Sequence, residues 1–138
     1  MGLSTKRYNR YQKEKKSLKG SFKHAYNGLK YAYYAENHIR SHIMMAFLAI
    51  FMAYFLDISK IEWLIIIASI FFVITLELIN TSIEVIIDMI EPNLNPLAGL
   101  VKDISAGAVL LGAILALING FVIFAPKILY VIEVLFYV

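Results

Sequence analysis

The amino-acid sequence predicts an all-α membrane protein with three transmembrane helices, preceded by an amphipathic helix at the membrane interface. Of the 138 residues, 60% are hydrophobic, and the mean hydropathy is +0.70. A soluble domain of this size cannot bury so much apolar surface. The apolar residues also gather in three long stretches, each long enough to cross a hydrocarbon core of about 30 Å. These two observations together predict the fold class.

The N-terminal region is basic. Ten of the thirteen Lys and Arg residues lie in residues 1–40, against Glu14 and Glu36, so this region carries a net charge of +8. Residues 1–17 lack apolar periodicity and are predicted to form a flexible cytoplasmic tail. Residues 18–37 space apolar side chains by three and four and place Lys on other faces, as in an interfacial amphipathic helix. Because this arm leads directly into an apolar segment, it favours anionic lipid headgroups over nucleic acid as its partner.

The three predicted transmembrane helices cover residues 39–57, 61–88 and 104–125. The connection 57–60 allows only a tight turn, so the first two helices form an antiparallel hairpin. The connection 91–103 holds helix-breaking Pro and Gly and is predicted to be a loop. The positive-inside rule places the N-terminus and this loop in the cytoplasm. Residues 128–138 are too short to cross the membrane and are predicted to be a short apolar C-terminal extension after the 18–127 membrane domain.

One face of the second transmembrane helix is polar. Its side chains fall at spacings of three, four and seven and share that face at 3.6 residues per turn: Glu77, Asn80, Thr81, Glu84 and Asp88. A carboxylate near the bilayer centre costs about 2.5–3.5 kcal/mol on insertion scales, so these acids need water, a proton, a cation or a partner. The alternative is that the polar groups only join neighbouring helices.

Further charged residues are predicted at the same membrane depth. Glu36 and Arg40 stand at the cytoplasmic start of the first transmembrane helix, and Lys102 and Asp103 stand at the start of the third. Acids two helical turns apart suit Mg²⁺ and a phosphate-bearing substrate, and they face the compartment that contains ATP. The sequence has no Gly-rich nucleotide loop. The spacing of His38 and His42 would permit metal binding, but interfacial polar packing is the favoured interpretation.

Three motifs resemble the prokaryotic diacylglycerol kinase and undecaprenol kinase family, whose members are small trimeric membrane enzymes. They are ELINTSIEVIID at 77–88, KDISAGAV at 102–109 and, more weakly, AENHIRSH at 35–42. The resemblance extends over residues 18–127. It implies a lipid kinase of the bacterial plasma membrane that uses ATP and Mg²⁺, forms a homotrimer and has its active site on the cytoplasmic side.

The resemblance also implies residue roles. Glu77 matches the general base for the lipid hydroxyl, and Glu36 and Glu84 match metal ligands that also contact ATP. Lys102 and Asp103 match the nucleotide-binding pair. Weaker matches and supporting positions complete the predicted site: Tyr26, Asn93 and Asn95 as ATP contacts, Asn80 as a residue that orients Glu77 or a phosphate, and Asp88 and Arg40 in support.

One position departs from the family. Ser17 stands where diacylglycerol kinases of the family carry an ATP-contacting Arg, and Lys15, Lys16 or Lys19 are the candidates to replace it. The motifs NPLA at 95–98 and APKI at 125–128 look more like the undecaprenol kinase branch. The resemblance therefore favours undecaprenol as the acceptor, giving the phosphorylated carrier lipid of cell-wall synthesis, with diacylglycerol as the alternative.

Two other classes of function compete with a kinase. An oligomeric channel or transport subunit would also carry acids on one helix face. The polar stripe is confined to the cytoplasmic half of its helix, however, whereas a pore would distribute polar residues over the full depth. In a structural membrane protein the stripe would serve only to join helices.

Overall fold

A computed structural model of the protein describes residues 17–93 and 95–137. They form four helices: α1 Leu18–Ala35, α2 Asn37–Phe55, α3 Lys60–Ile90 and α4 Pro96–Tyr137. The chain divides into two compact units, Met1–Glu36 and Asn37–Val138, and each is described by itself. The tail residues Lys15 and Lys16, considered above as ATP contacts, lie outside the described residues.

Helix α1 belongs to the first unit and is capped at both ends. The Ser17 side chain accepts a hydrogen bond from the Gly20 N–H at 3.0 Å, which satisfies one of the free donors of the first turn. The helix ends at Glu36, whose backbone is extended and whose N–H donates to the Ala32 carbonyl at 2.9 Å. Leu18, Phe22 and other large side chains of α1 are exposed, as the headgroup region would permit.

A tight turn joins α2 to α3. Asp57 adopts a left-handed conformation with φ 46, and the Ile58 N–H donates to the Ala53 carbonyl at 3.3 Å. This is the hydrogen bond of a Schellman motif, and the buried Ile58 and Ala53 supply its apolar contact. Helix α3 then begins with a capping box, in which Ser59 and Glu62 bond each other's backbone N–H. The turn therefore reverses the chain within four residues and fixes the α2–α3 hairpin.

Helices α3 and α4 pack against each other over most of their length, and α2 packs mainly on α3. Polar contacts between α3 and α4 show the antiparallel register, because residue numbers rise along α4 as they fall along α3. These contacts are Asp88 with Lys102, Ser69 with Asn119, and Glu62 with Lys127. The three helices of the second unit therefore run up, down and up.

Gly112 lies where α4 packs tightly against side chains of α3. A Cβ at this position would come within 2.5 Å of Leu76 Cδ1 and 3.4 Å of the Phe72 ring. Small residues allow such close helix packing in membranes.

We expect Gly112→Ala to be tolerated, since the end of the Leu76 side chain can move. Gly112→Ile should overpack the interface and lower the free energy of unfolding by about 1–3 kcal/mol. Thermal unfolding in detergent measures both, with Gly107→Ala as a control because its Cβ would meet nothing within 4 Å.

Two boundaries differ from the sequence prediction. Helix α4 already begins at Pro96, so the connection after α3 is only five residues long rather than 91–103. The Asn95 side chain accepts a hydrogen bond from the Leu97 N–H at 3.0 Å, and Pro is well suited to the first helical position. Helix α4 also continues through Pro126 to Tyr137 and so runs beyond the predicted end of the third transmembrane helix at residue 125.

Helices α2, α3 and α4 are each long and apolar enough to cross a membrane. Only 11%, 28% and 17% of their most apolar windows are buried within the chain. Most large apolar side chains on these helices are therefore exposed, among them Phe47, Phe71 and Phe121. A hydrocarbon environment satisfies such surfaces without a large protein core.

Candidate active site

Along the polar stripe predicted on α3, the side chains become more exposed from Glu77 to Asp88. Glu77, Asn80 and Thr81 are buried, Glu84 is half-buried, and Asp88 near the end of the helix is exposed. The Thr81 hydroxyl donates to the Glu77 backbone carbonyl at 2.9 Å, so this hydroxyl needs no partner from another helix. The stripe thus runs from a buried carboxylate to an exposed one, over about 16 Å at 1.5 Å per residue.

The buried acid of the stripe has a partner on α2. His42 Nε2 lies 3.0 Å from Glu77 Oε1, and the two side chains are 26% and 6% exposed. A carboxylate with so little access to water requires hydrogen bonding or a counter-charge to remain ionised. Among the described side chains, the imidazole supplies that partner.

The middle of the stripe is connected to α4. The Asn80 side-chain amide donates to Glu84 Oε1 at 2.8 Å, and Asn80 Oδ1 lies 2.5 Å from the Ser105 hydroxyl. The Ser105 hydroxyl also lies 2.9 Å from the Lys102 carbonyl, and its single proton serves one acceptor at a time. The Asn80 amide is therefore oriented toward Glu84, and its predicted role toward Glu77 or a phosphate stays a prediction.

The exposed end of the stripe carries an ion pair. Lys102 Nζ lies 2.5 Å from Asp88 Oδ1, which joins the start of α4 to the last turns of α3. Asp103, the neighbour of Lys102, is exposed. The structure therefore places Lys102 beside Asp88 at the exposed end of the stripe, and the predicted convergence of the other charged residues stays a prediction.

The other predicted site residues belong to one or the other of the two units. The Arg40 guanidinium donates to the Asn37 side chain on its own helix. Asn93 is exposed in the connection before α4, and Asn95 caps that helix. Tyr26 is exposed on α1 and Glu36 is half-buried just after it, both in the first unit. Their roles in binding ATP or metal stay predictions.

A large apolar cavity lies between α2, α3 and α4. Its volume is about 960 Å³, and it is lined almost entirely by aliphatic and aromatic side chains, with His42 and Ser69 as the polar exceptions. The lining extends from His42 near the start of α2 to Leu129 on α4. On α3 the lining covers only residues 66–74, so the cavity extends along the part of the bundle nearer the α2–α3 turn.

Comparison with known proteins identifies the family. The prokaryotic diacylglycerol kinase family matches residues 23–124. The chain is 37% identical to the undecaprenol kinase of Bacillus subtilis over 107 residues, covering 78% of this chain and 87% of the relative. The chain belongs to the prokaryotic diacylglycerol kinase family.

Two further relatives are named diacylglycerol kinase. The Synechocystis protein is 34% identical over 110 residues, which are 79% of this chain and 63% of that relative. The Escherichia coli K12 protein is 31% identical over 96 residues, which are 70% of this chain and 79% of that relative. Family membership makes the chain a multi-pass membrane lipid kinase, a phosphotransferase that uses ATP and an alcohol acceptor. It also favours the kinase over the channel and the structural protein considered above.

The residues of this kinase fit a metal ion only in part. Glu84 is half-buried and has one oxygen bound by Asn80. Within residues 17–93 and 95–137, no three His, Asp or Glu side chains form a complete ligand set. Mg²⁺ is usually held by one or two carboxylates together with water and substrate phosphates, so an incomplete protein set of oxygen ligands is compatible with it.

Two residues that contact the polar stripe, Ser105 and His42, are not among the predicted site residues. Ser105 lies one turn beyond Lys102 on the face toward α3, a spacing that could have suggested it. His42 was considered and assigned to polar packing at the interface. Counting equal steps outward from the turn at 57–60 places His42 opposite about residue 75, within one turn of Glu77. The hairpin geometry therefore held a signal for this pair.

Proposed function

We propose that this kinase transfers the γ-phosphate of ATP to the hydroxyl of undecaprenol, giving undecaprenyl phosphate. The observation that carries the acceptor is the 37% identity to the B. subtilis undecaprenol kinase over 78% of the chain and 87% of that relative. Diacylglycerol is the second candidate, because the Synechocystis and E. coli relatives carry that name at 34% and 31% identity. Both acceptors present a hydroxyl on a long hydrocarbon body.

Glu77 is the general base in this proposal. It is the most deeply placed acid of the stripe, and it is buried beside an apolar cavity that a lipid could enter. The lipid oxygen attacks the γ-phosphorus and its proton passes to the Glu77 carboxylate. As the new O–P bond forms, the bond to the bridging oxygen breaks and ADP leaves with its electron pair.

ATP binds toward the exposed end of the stripe. Glu84 and Glu36 would hold Mg²⁺, which neutralises charge on the phosphates when it is bound. Lys102 supplies positive charge to the phosphates, while Asp88 holds its ammonium in place. The remaining proposed ATP contacts are Asp103, Tyr26, Asn93 and Asn95, and Arg40 supports the site.

The proposed assembly is a homotrimer in the bacterial plasma membrane. The exposed apolar faces of α2, α3 and α4 leave room for helix contacts with other copies as well as with lipid. The excess of Lys and Arg in residues 1–40 supports an orientation in which the N-terminus and the active site lie on the cytoplasmic side.

Orientation is tested by cysteine labelling, for which the native chain is suitable because it contains no Cys. We expect Phe136→Cys to react with an impermeant maleimide added outside intact cells, and Lys23→Cys to react only after the membrane is opened. The physical reason is the odd number of membrane crossings combined with the basic N-terminal arm. Labelling of residue 136 only from the cytoplasm would overturn the orientation.

Transfer of radiolabelled γ-phosphate tests the proposed function. Purified protein in mixed micelles receives undecaprenol or diacylglycerol at equal mole fraction, with and without EDTA. We expect label in undecaprenol at a kcat/KM at least tenfold above that for diacylglycerol, and none with EDTA. A preference for diacylglycerol would select the second candidate, and no transfer to either lipid would overturn the proposal.

A further inference from the structure

The contact between His42 and Glu77 joins an imidazole to a nearly buried carboxylate. The Glu77 side chain is only 6% exposed, and an ionised carboxylate in such a place needs hydrogen-bond donors. Among the described side chains, the nearest nitrogen to this carboxylate is His42 Nε2, which lies 3.0 Å from Oε1 and so within hydrogen-bonding distance. The nearby Thr81 hydroxyl donates to the backbone carbonyl of Glu77 instead.

The contact distinguishes the two carboxylate oxygens of Glu77. Oε1 faces the imidazole, whereas Oε2 has no hydrogen bond to a described side chain. A general base must offer a free lone pair within hydrogen-bond reach of the hydroxyl that it deprotonates. Holding Oε1 therefore leaves Oε2 as the oxygen that can receive a proton.

The His42 side chain also lines the apolar cavity between α2, α3 and α4. Of the two polar residues in its lining, Ser69 donates its hydroxyl to the Ile65 carbonyl and accepts from Asn119. His42 is thus the polar residue through which the cavity adjoins the stripe. A lipid whose hydrocarbon lies in the cavity would bring its hydroxyl to the level of His42 and Glu77.

We propose that His42 is the positioning residue for Glu77. Its Nε2–H holds Oε1 and directs Oε2 toward the acceptor hydroxyl. This inference rests on the proposed function and adds a residue to it. In the transfer step the hydroxyl proton moves to Glu77 Oε2 while the lipid O–P bond forms and the bond to ADP breaks. His42 keeps its own proton throughout.

Two substitutions separate hydrogen bonding from packing. His42→Leu removes the donor and keeps an apolar side chain of similar bulk, and we expect kcat to fall about 10- to 100-fold with the KM for ATP unchanged. His42→Gln retains an N–H near the position of Nε2, and we expect it to restore kcat to within about threefold of the native value. His42→Met replaces the Leu variant if that variant does not fold.

The controls exclude a general effect on the fold. His38 lies one turn earlier on α2 and is exposed, so His38→Leu should leave kcat unchanged. In a Glu77→Gln background, His42→Leu should lower kcat little further, because in this proposal His42 acts only through the Glu77 carboxylate that is already removed. A Gln variant as slow as the Leu variant, or losses at His42 and Glu77 that multiply independently, would overturn the proposal.

A second measurement does not depend on activity. The chain has three histidines, so ¹⁵N-histidine NMR of the whole protein in micelles is assignable with His42→Gln and His38→Leu. We expect a protonated Nε2 on His42, and a change of its signals alone in Glu77→Gln. An unprotonated Nε2 on His42, or His42 signals that are the same in the native protein and in Glu77→Gln, would overturn the positioning role. Absence of phosphate transfer by the native protein would instead count against the proposed function.

Discussion

Glu77→Gln is expected to lower kcat by about 10²–10⁴, the usual contribution of a positioned base, with little change in the KM for ATP. The substitution keeps the shape of the side chain and removes its ability to take a proton. Glu77 is 4% exposed and lies at the buried end of the stripe, about 10 Å along α3 from Glu84. Its loss should therefore affect the transfer step rather than the binding of nucleotide.

The matched control for this substitution is Glu62→Gln. Glu62 lies on the same helix, about 22 Å from Glu77 at 1.5 Å per residue, and pairs with Lys127 at 3.3 Å. Its kcat should equal that of the native protein. Steady-state kinetics with lipid and ATP each varied, in the same micelles, measure kcat and both KM values for the two variants. If Glu77→Gln had the native kcat but bound ATP more weakly, the roles proposed for Glu77 and Glu84 would have to be exchanged.

Glu84→Gln and Glu36→Gln are each expected to reduce Mg²⁺-dependent use of ATP by about 100-fold or more. Carboxylates that face a polyphosphate repel it unless a divalent cation stands between them, and a neutral amide binds that cation poorly. The Mg²⁺ concentration needed for half-maximal rate should rise in both variants. Titration of Mg²⁺ at fixed ATP, followed by ATP titration at saturating Mg²⁺, measures this.

Asn80 provides an intermediate test of the same site. Its amide donates to Glu84 Oε1 at 2.8 Å, so Asn80→Leu should weaken Mg²⁺-dependent activity by the about 10- to 100-fold typical for a lost partner of a metal ligand. Glu91→Gln is the control, because Glu91 follows the end of α3 and has no place in the proposed site. Native Mg²⁺ dependence in both the Glu84 and Glu36 variants would remove these residues from the metal site.

Much of the fold could be predicted from local sequence patterns. The three apolar stretches predicted the helices because a helix in a hydrocarbon core needs about 20 apolar residues in succession. The sequence predicts a later start for α4 because Pro commonly breaks helices, although Pro96 is compatible with the first turn of a helix. The predicted end at residue 125 is earlier than the observed one, because the helix continues through Pro126 to Tyr137.

The polar stripe follows from the order of residues alone, because residues three, four and seven apart share a face wherever a helix forms. The partners of that stripe follow from the packing of α3 against α2 and α4: His42 with Glu77, Ser105 with Asn80, and Lys102 with Asp88. These pairs depend on the register between helices. That register is set by the turn at Asp57 and by the close approach at Gly112, where backbone conformation and packing act between segments distant in the chain.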